Sequence, residues 1–218
     1  MKYLFYKFTA YFLISFGLII WGTGYFLYEY INISSRVIFL LCLILQTVNS
    51  FYCGILINKL HQSAYTDTLT NLSNRKCFYE KLVYEMEAIN RTKSEICLAM
   101  IDIDDFKNVN DTYGHLEGDR VLQQLARLLQ SNVRAIDTVA RWGGEEFTII
   151  FPHTSIQGAL VVAERLRAAV ENYPFSSKIT ISIGLVSTKE RKNIDCFIKI
   201  ADEALYKAKQ EKNIVLGC

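Results

Sequence analysis

Two long apolar segments open the chain, and neither contains a charged side chain. They cover residues 8–28 and 37–57. Each has about the 20 residues that an α-helix needs to cross a bilayer, so the pattern predicts two membrane spans joined by a short loop. The alternatives are a cleaved signal peptide for the first segment and a buried core helix for the second, whose polar Gln46 and Asn49 suit that interpretation.

Basic residues flank this pair of segments on the outside. The flanking residues are Lys2, Lys7, Lys59, Arg75 and Lys76, whereas the connecting loop holds a single arginine. Cytoplasmic flanks of membrane spans are enriched in Lys and Arg. The distribution therefore predicts that both termini lie in the cytoplasm and that membrane lipid is a partner of the chain.

The remainder of the chain alternates between short apolar runs and amphipathic periods. We assign residues 1–57 to a membrane hairpin, 58–66 to a linker helix and 67–218 to one globular domain. Short apolar runs predict strands, at 95–103, 137–142, 145–151, 178–186 and 214–217. Apolar spacings of three and four predict helices, at 76–90, 118–133, 155–173 and 194–213. This order predicts an α/β fold with a mixed central sheet flanked by helices.

Charge and cysteine usage exclude two classes of protein. The net charge of +2 provides no bulk attraction to nucleic acid, so no nucleic-acid partner is predicted. The six cysteines form no CxxC pair and no ligand-like cluster with the three histidines. They predict structural thiols in a reduced compartment rather than a disulfide framework or a zinc site.

Two aspartates, Asp102 and Asp104, lie at the end of the apolar strand predicted over residues 95–103. Residues two apart in a strand share a face, so their carboxylates would project together. Carboxylates at such a place are costly unless they are hydrated, paired or holding a cation. The pattern predicts a cation site at this strand end, with a solvated aspartate-rich loop as the alternative.

The segment "RWGGEEF" places two glycines directly before two adjacent carboxylates, Glu145 and Glu146. The glycines, Gly143 and Gly144, predict a hairpin whose main chain a phosphate can approach. On an extended segment the two glutamates point to opposite sides, so only one is expected to face a cation held by Asp102. Mg²⁺ prefers one or two carboxylates together with substrate phosphate oxygens. The alternative is a hairpin turn without a ligand.

Five segments, taken together, resemble the GGDEF family of diguanylate cyclases over residues 65–217. They are "DTLTNLSNR", "DIDDFKNVNDTYGHLEGD", "RWGGEEF", "ISIG" and "ADEALYKAK", in the family's order and at its spacing. The resemblance implies the family's palm-like α/β fold. It also implies the family's reaction, in which two molecules of GTP become cyclic di-GMP and two pyrophosphates.

The resemblance implies the roles of individual residues at the reacting end of the substrate. Mg²⁺, or Mn²⁺ in its place, would be held by Asp102, Glu145 and the main-chain carbonyl of Ile103. The residues implied in catalysis are Glu145, Lys107 and Arg141.

The remaining implied residues bind GTP or the product. Those for GTP are Asn110 and Asp119 at the guanine edge, Phe106, which would shape the site, and Gly143, Gly144, Lys209 and Lys212 around the phosphates. A carboxylate can accept from guanine N1–H and N2–H₂, which adenine does not offer in that arrangement. Structural alternatives are a core position for Phe106 and a solvated helix position for Lys209.

An inhibitory product site is implied by "RAID", because the family places R-x-x-D at the same distance from its signature. Arg134 and Asp137 would bind cyclic di-GMP there, with Arg165 or Arg167 as a further contact. The alternative is a surface ion pair between residues three apart.

The family's mechanism also implies a homodimer, because each subunit supplies half of the site that closes the product ring. The location implied is the bacterial inner membrane, multi-pass, with the catalytic domain in the cytoplasm. One departure from the family pattern follows Lys209, where "QEKN" places Lys212 at the position of an arginine. Lysine lacks the bidentate fork of arginine, so a weaker phosphate contact is expected. Alternative functions are a non-catalytic receptor for cyclic di-GMP or GTP, and a cyclase making a mixed adenine–guanine product.

Overall fold

The computed structural model describes the backbone of residues 2–31, 35–92, 94–190 and 192–217, and their side chains except at 2–14, 31, 35–36, 58–63 and 90–92. The chain divides into two compact units, Met1–Gln62 and Ser63–Cys218.

The first unit is built from α1 (Lys2–Ile31) and most of α2 (Ser35–Tyr65), whose last three residues belong to the second unit. Ile20, Ile38 and Cys42 form its small buried cluster, and a Cβ at Gly24 would lie 2.9 Å from the sulfur of Cys42. Trp21 donates a hydrogen bond to the Oε1 atom of Gln46 at 3.2 Å. Position 21 of α1 thus contacts position 46 of α2, while position 24 of α1 contacts position 42. Because the contacts in α2 move back along the chain as those in α1 move forward, the two helices run antiparallel.

One helix within the described residues is long and apolar enough to cross a membrane, by length and composition. It is Val37–Ile57 of α2. Residues 8–14 of the first predicted span lie outside the residues whose side chains are described. The predicted linker helix at 58–66 forms the end of α2, which continues to Tyr65.

The second unit is a six-stranded sheet with helices on both faces. Its strands are β1 (Ser73–Asn74), β2 (Ile96–Ile103), β3 (Thr138–Gly143), β4 (Glu146–Phe151), β5 (Ile181–Thr188) and β6 (Val215–Gly217). Its helices are α3 (Arg75–Thr92), α4 (Phe106–Tyr113), α5 (His115–Ser131), α6 (Ile156–Asn172) and α7 (Ile194–Glu211). The strand order is β1-β3-β4-β2-β5-β6, with parallel pairing at both edges and antiparallel pairing between.

The central strand β2 is buried along all eight of its residues, which explains its continuous apolar run. Ala99 and Ile101 face a cluster that includes residues of α4, α5 and α6. Leu98 and Met100 face the other cluster, to which α3 and α7 contribute. Alternation along β2 therefore assigns each residue to one helix layer, and Asp102 continues the face of Leu98 and Met100.

These elements confirm the predicted α/β fold with a mixed central sheet. Helix α6 ends at Asn172, before Pro174, as the proline predicts. Strand β6 is the predicted edge strand and pairs in parallel with β5. The helical segment after β2 begins earlier than the pattern indicated, because α4 starts at Phe106 and Gly114 separates it from α5.

Helix α7 packs directly against the backbone of β5 at Gly184. A Cβ at this position would lie 2.6 Å from the carbonyl oxygen of Ala201 and 2.7 Å from the Cα atom of Leu205. Both are backbone atoms of α7, so they cannot rotate away. Gly184 therefore sets the distance between β5 and α7.

We expect Gly184→Ala to reduce the free energy of unfolding by about 3 kcal/mol, because an added methyl group forces helix and strand apart. Thermal unfolding of the detergent-solubilised chain, followed by circular dichroism, measures the effect. Gly158→Ala is the control, since its Cβ would meet only side-chain atoms, the Cγ2 atom of Thr154 at 3.3 Å and the Oγ atom of Ser155 at 3.5 Å. Equal unfolding midpoints for the two variants would contradict the close approach of α7.

Candidate active site

The chemistry-bearing residues of the second unit meet at one end of the sheet, where β2 ends and β3 turns into β4. Asp102 is the ladder partner of Glu146 on β4 and of Ser182 on β5. Directly paired residues project from the same face of a sheet. The register therefore places the Asp102 and Glu146 carboxylates side by side on the α7 face.

Asp102 is buried, with 3% of its surface exposed, and its two carboxylate oxygens differ in their contacts. Oδ2 accepts from the Lys209 ammonium at 2.8 Å. Oδ1 is buried and has no hydrogen-bond partner among the described residues. Burial raises the pKa of Asp102 above its ordinary value, the nearby Asp104 adds to the rise, and Lys209 opposes it. Asp102 thus presents one unsatisfied oxygen.

Asp104 is also buried, but both of its oxygens are satisfied. The hydroxyls of Thr180 and Ser182 donate to it at 2.6 and 2.7 Å, and the main-chain N–H of Asn213 donates at 2.9 Å. The two aspartates therefore do not form a solvated loop, and they differ in function. Asp104 joins the ends of β2, β5 and the C-terminal segment, whereas Asp102 keeps one carboxylate oxygen without a partner among the described residues.

The signature segment forms the predicted hairpin. β3 and β4 pair antiparallel with an irregularity between Arg141 and Gly143, and Gly144 has a φ of +50°. A Cβ built at Gly143 or Gly144 meets no atom within 4 Å. The main chain of the turn is therefore open to an approaching group, and Gly144 adopts a backbone conformation that favours glycine.

Both glutamates of the hairpin lie close enough to Asp102 for its charge to act on them. Glu145 lies in the turn and outside the ladder, so strand alternation does not apply to it. Burial raises the pKa of Glu145 and of Glu146, the charge of Asp102 raises both further, and Lys209 opposes both. Three carboxylates thus share one end of the sheet.

This carboxylate cluster fits a divalent cation whose remaining ligands come from a substrate. No group of three or more His, Cys, Asp or Glu side chains within the described part of the chain forms a complete metal site. Mg²⁺ is usually held by one or two carboxylates plus phosphate oxygens and water. The unsatisfied Oδ1 atom of Asp102 provides such a carboxylate oxygen.

Arg141, expected among the catalytic residues, braces the hairpin in this structure. Its Nε and Nη2 atoms donate to the carbonyl oxygen of Gly144 at 3.0 and 2.7 Å. Its Nη1 atom donates to Asp67 at 3.2 Å, and Asp67 also accepts from the N–H and hydroxyl of Thr70. Burial acts to raise the pKa of Asp67, but the bonds from Thr70 and Arg141 outweigh it and leave the pKa below its ordinary value.

The residues predicted at the guanine edge lie where α4 packs on α5. Asn110 is half-buried on α4, and Asp119 is exposed on α5. A Cβ at Gly118 would collide with the Oδ1 atom of Asn110 and lie 3.2 Å from the ring of Phe106. Gly118 therefore leaves the space that the Asn110 side chain occupies where α4 packs on α5.

The other predicted site residues take several positions. Phe106 is buried in the core, so the core alternative describes its position, while Lys107 is exposed on α4. Lys212 donates to both carboxylate oxygens of Asp105 at 2.8 Å. Because both partners are half-exposed, this ion pair contributes little to stability, and phosphate can compete for the lysine.

The R-x-x-D segment forms the ion pair between residues three apart, but only its arginine is exposed. The carboxylate of Asp137 is buried and accepts from the main-chain N–H of Arg134 at 2.8 Å and from its Nη2 atom at 2.8 Å. Arg134 also donates to the hydroxyl of Thr154 at 2.6 Å, yet half of its side chain stays exposed. Asp137 thus holds Arg134 in position, and the exposed half of the Arg134 side chain is accessible to a ligand.

The structure separates the two arginines named as further contacts of that site. Arg165 donates to the carbonyl oxygen of Asn132 at 2.6 Å, two residues from Arg134. Arg167 is engaged elsewhere, with Glu164, Glu171 and Asn213. Of the two arginines, Arg165 therefore contacts the segment that carries Arg134.

Comparison with known proteins agrees with this geometry. Residues 64–214 match the family model described as diguanylate cyclase, GGDEF domain. The chain belongs to the GGDEF family.

Relatives of this family cover the same part of the chain. Diguanylate cyclase DgcP of Pseudomonas aeruginosa is 41% identical over 154 residues, which are 68% of this chain and 23% of that protein. Response regulator PleD of Caulobacter vibrioides is 41% identical over 178 residues, 76% of this chain and 39% of that protein. The crystal structure of the coiled coil and GGDEF domain of DgcB from Caulobacter crescentus in complex with c-di-GMP has a TM-score of 0.76 and 30% identity, covering 81% of this chain and 97% of that one. The chain thus spans less than half the length of these two curated relatives.

Sequence reasoning missed three contributions to this GGDEF site. They are the position of Glu146 beside Asp102, the bracing of Arg141 by Asp67, and the space that Gly118 leaves for Asn110. The first could have been found by aligning the two strands so that their apolar residues match. The other two join residues distant in sequence or in neighbouring helices, and no local pattern signals them.

We expect Asp67→Asn to lower the free energy of unfolding near neutral pH by about 1 kcal/mol, a value reduced for partial exposure. A carboxylate with a lowered pKa stabilises the fold above its unfolded pKa, near 3.8, and this stability is lost as pH falls through the folded pKa. The two proteins should therefore converge in stability under acid. Denaturant titrations at several pH values measure this, and a difference independent of pH would contradict it.

Proposed function

We propose that the chain is a diguanylate cyclase that condenses two molecules of GTP into cyclic di-GMP and two pyrophosphates. The observation that carries the proposal is the buried Asp102 carboxylate, with one unsatisfied oxygen, beside an open Gly-Gly turn and two more carboxylates. Such a site suits a triphosphate that arrives with a divalent cation.

The reaction forms two phosphodiester bonds. The 3′-hydroxyl oxygen of each GTP bonds to the α-phosphorus of the other, the bond from that phosphorus to the β-phosphate oxygen breaks, and pyrophosphate leaves. The hydroxyl proton must pass to a base. We assign this role to Glu145, the carboxylate in the hairpin turn on which the charges of Asp102 and Lys209 act.

Asp102, Glu145 and the carbonyl of Ile103 would hold Mg²⁺, with Mn²⁺ as the alternative ion. The bound cation would neutralise charge on the phosphates and lower the pKa of the attacking hydroxyl. The open main chain at Gly143 and Gly144 supports an approach of the phosphates to the hairpin.

The remaining substrate residues would recognise guanine and the polyphosphate. Asn110 and Asp119 would bond the guanine edge, supported by the packing of Asn110 on Gly118. Lys107, Lys209 and Lys212 would bind phosphate oxygens. For this, Lys209 would give up its ion pair with Asp102, and Lys212 its ion pair with Asp105. Arg141 would act by holding the hairpin as well as by its charge.

The product has two equivalent bonds, so two copies of the site must face each other, and we propose a homodimer. Each copy would bind one GTP and supply one α-phosphorus and one 3′-hydroxyl. Dimerisation would then control the rate, because a single copy cannot close the ring.

We also propose that α1 and α2 anchor the chain in the bacterial inner membrane, with the catalytic unit in the cytoplasm. Most of the described side chains of the unit Met1–Gln62 that face outward are apolar, among them Leu18, Phe39, Leu41, Ile44 and Phe51. Such a surface suits lipid, and the antiparallel pairing of α1 with α2 supports a second span.

The test is product identification. We expect the chain, extracted from membranes and incubated with Mg²⁺ and GTP, to yield cyclic di-GMP by mass spectrometry. Glu145→Gln should lose nearly all turnover while keeping the circular dichroism of the fold, because it removes the base and a metal ligand. Glu203→Gln, an exposed position on α7, is the matched control and should retain turnover. Nucleotide binding without any product would instead favour the non-catalytic receptor.

A product-inhibition site around Arg134 and Arg165 is the second part of this proposal. Both arginines can bind phosphate or a guanine edge, and Asp137 holds Arg134 in position. Cyclic di-GMP bound there would couple to the active site through β3, which leads into the signature hairpin.

We expect added cyclic di-GMP to slow the wild-type enzyme, and Arg134→Ala or Arg165→Ala to raise the inhibitory concentration about tenfold or more. Arg167→Ala is the discriminating control, because Arg167 bonds to Glu164 and Glu171 and should not alter inhibition. Progress curves with added product measure this. Equal inhibition of the wild type and both variants would contradict a product-binding site at Arg134 and Arg165.

A further inference from the structure

Lys209 occupies the position from which a cation would approach Asp102. Its Nζ atom lies 2.8 Å from Oδ2 of a carboxylate whose side chain is 4% exposed. A divalent cation bound to that carboxylate would need the same oxygen or the adjacent Oδ1 atom. The ammonium and the cation would then stand within a few ångströms of each other, where their like charges repel.

The surroundings explain why an ammonium lies there. Asp102, Glu145 and Glu146 concentrate negative charge at a partly buried place, and each of the three acts on Lys209. A buried carboxylate without a counter-charge is strongly unfavourable. Lys209 therefore supplies, from the last turn of α7, the positive charge that the carboxylates need when no ligand is bound.

Lys209 can also leave this position. Its side chain is 42% exposed and has a flexible four-carbon stem, so the ammonium can move while α7 stays in place. A triphosphate at the open hairpin would offer it several anionic oxygens. The same nucleotide would bring ligands for the divalent cation, so the two changes would favour each other.

We propose that Lys209 is a built-in substitute for the metal ion, which holds the cation position at Asp102 until nucleotide phosphates draw the ammonium away. The inference rests on the proposed binding of GTP with a divalent cation at this site. Its consequence is an ordered site: a divalent cation alone binds weakly, and nucleotide strengthens cation binding by more than direct phosphate contacts provide.

The experiment measures Mn²⁺ binding to the detergent-solubilised full chain in the absence of nucleotide, by electron paramagnetic resonance of free Mn²⁺. We expect Lys209→Met to bind Mn²⁺ about tenfold or more tightly than the wild type, because a competing positive charge is removed. Lys207→Met, which removes an exposed lysine from the same helix, should match the wild type. Equal Mn²⁺ affinity in the wild type and Lys209→Met would overturn the proposal.

Two further measurements keep the outcome decisive. Mn²⁺ should raise the melting temperature of Lys209→Met more than that of the wild type, since the cation replaces the lost counter-charge. A GTP analogue with an α,β-methylene bridge should increase Mn²⁺ affinity by a larger factor in the wild type than in Lys209→Met, and an equal factor would overturn the proposal.

Lys209→Gln serves in place of Lys209→Met if the methionine variant does not fold, because it keeps a hydrogen-bond donor near Asp102. Turnover is not used, so a chain that makes no cyclic di-GMP still answers the question through nucleotide-free Mn²⁺ binding. A purely structural ion pair predicts a less stable variant with unchanged Mn²⁺ affinity, and that result would overturn the proposal.

Discussion

The burial of the Asp102 carboxylate at the end of β2 is the constraint on which the rest of the site depends. Strand β2 is covered on both faces and paired on both sides, so a side chain near its end is shielded from water. A charged group there requires a counter-charge, and Lys209 provides it from α7. The close packing of α7 on Gly184 brings that helix near enough. A glycine in β5 thus contributes to the electrostatics of a carboxylate in β2.

The second aspartate shows how the same fold treats a carboxylate that it uses for structure. Asp104 accepts two hydroxyl bonds and one main-chain bond, which join β2, β5 and the C-terminal segment. Full satisfaction of a buried carboxylate stabilises a fold, whereas partial satisfaction leaves it reactive toward ligands. Two aspartates only two residues apart therefore differ in function because one has three protein donors and the other has one.

The sequence predicted most of the architecture because the architecture follows from local periodicity. The apolar runs of β2, β4 and β5 and the helical spacing of α5, α6 and α7 are each visible within a short window. The family motifs then named the residues of the site. What the sequence could not predict depends on pairing between distant segments: the register that sets Glu146 beside Asp102, the bond from Arg141 to Asp67, and the burial of Asp137.

These unpredicted contacts share a physical origin. Motif spacing tells which residue types stand near one another in sequence, but hydrogen-bond partners are decided by which groups are left unsatisfied once the sheet has formed. Arg134 and Asp137 match a ligand-binding pattern, and in the folded chain the buried carboxylate accepts from its own arginine, whose side chain stays half-exposed. Conversely, Asp102 has a partner for one oxygen and none among the described residues for the other. A residue is therefore better identified as a binding group by the hydrogen-bonding capacity that the fold leaves unused than by its place in a motif.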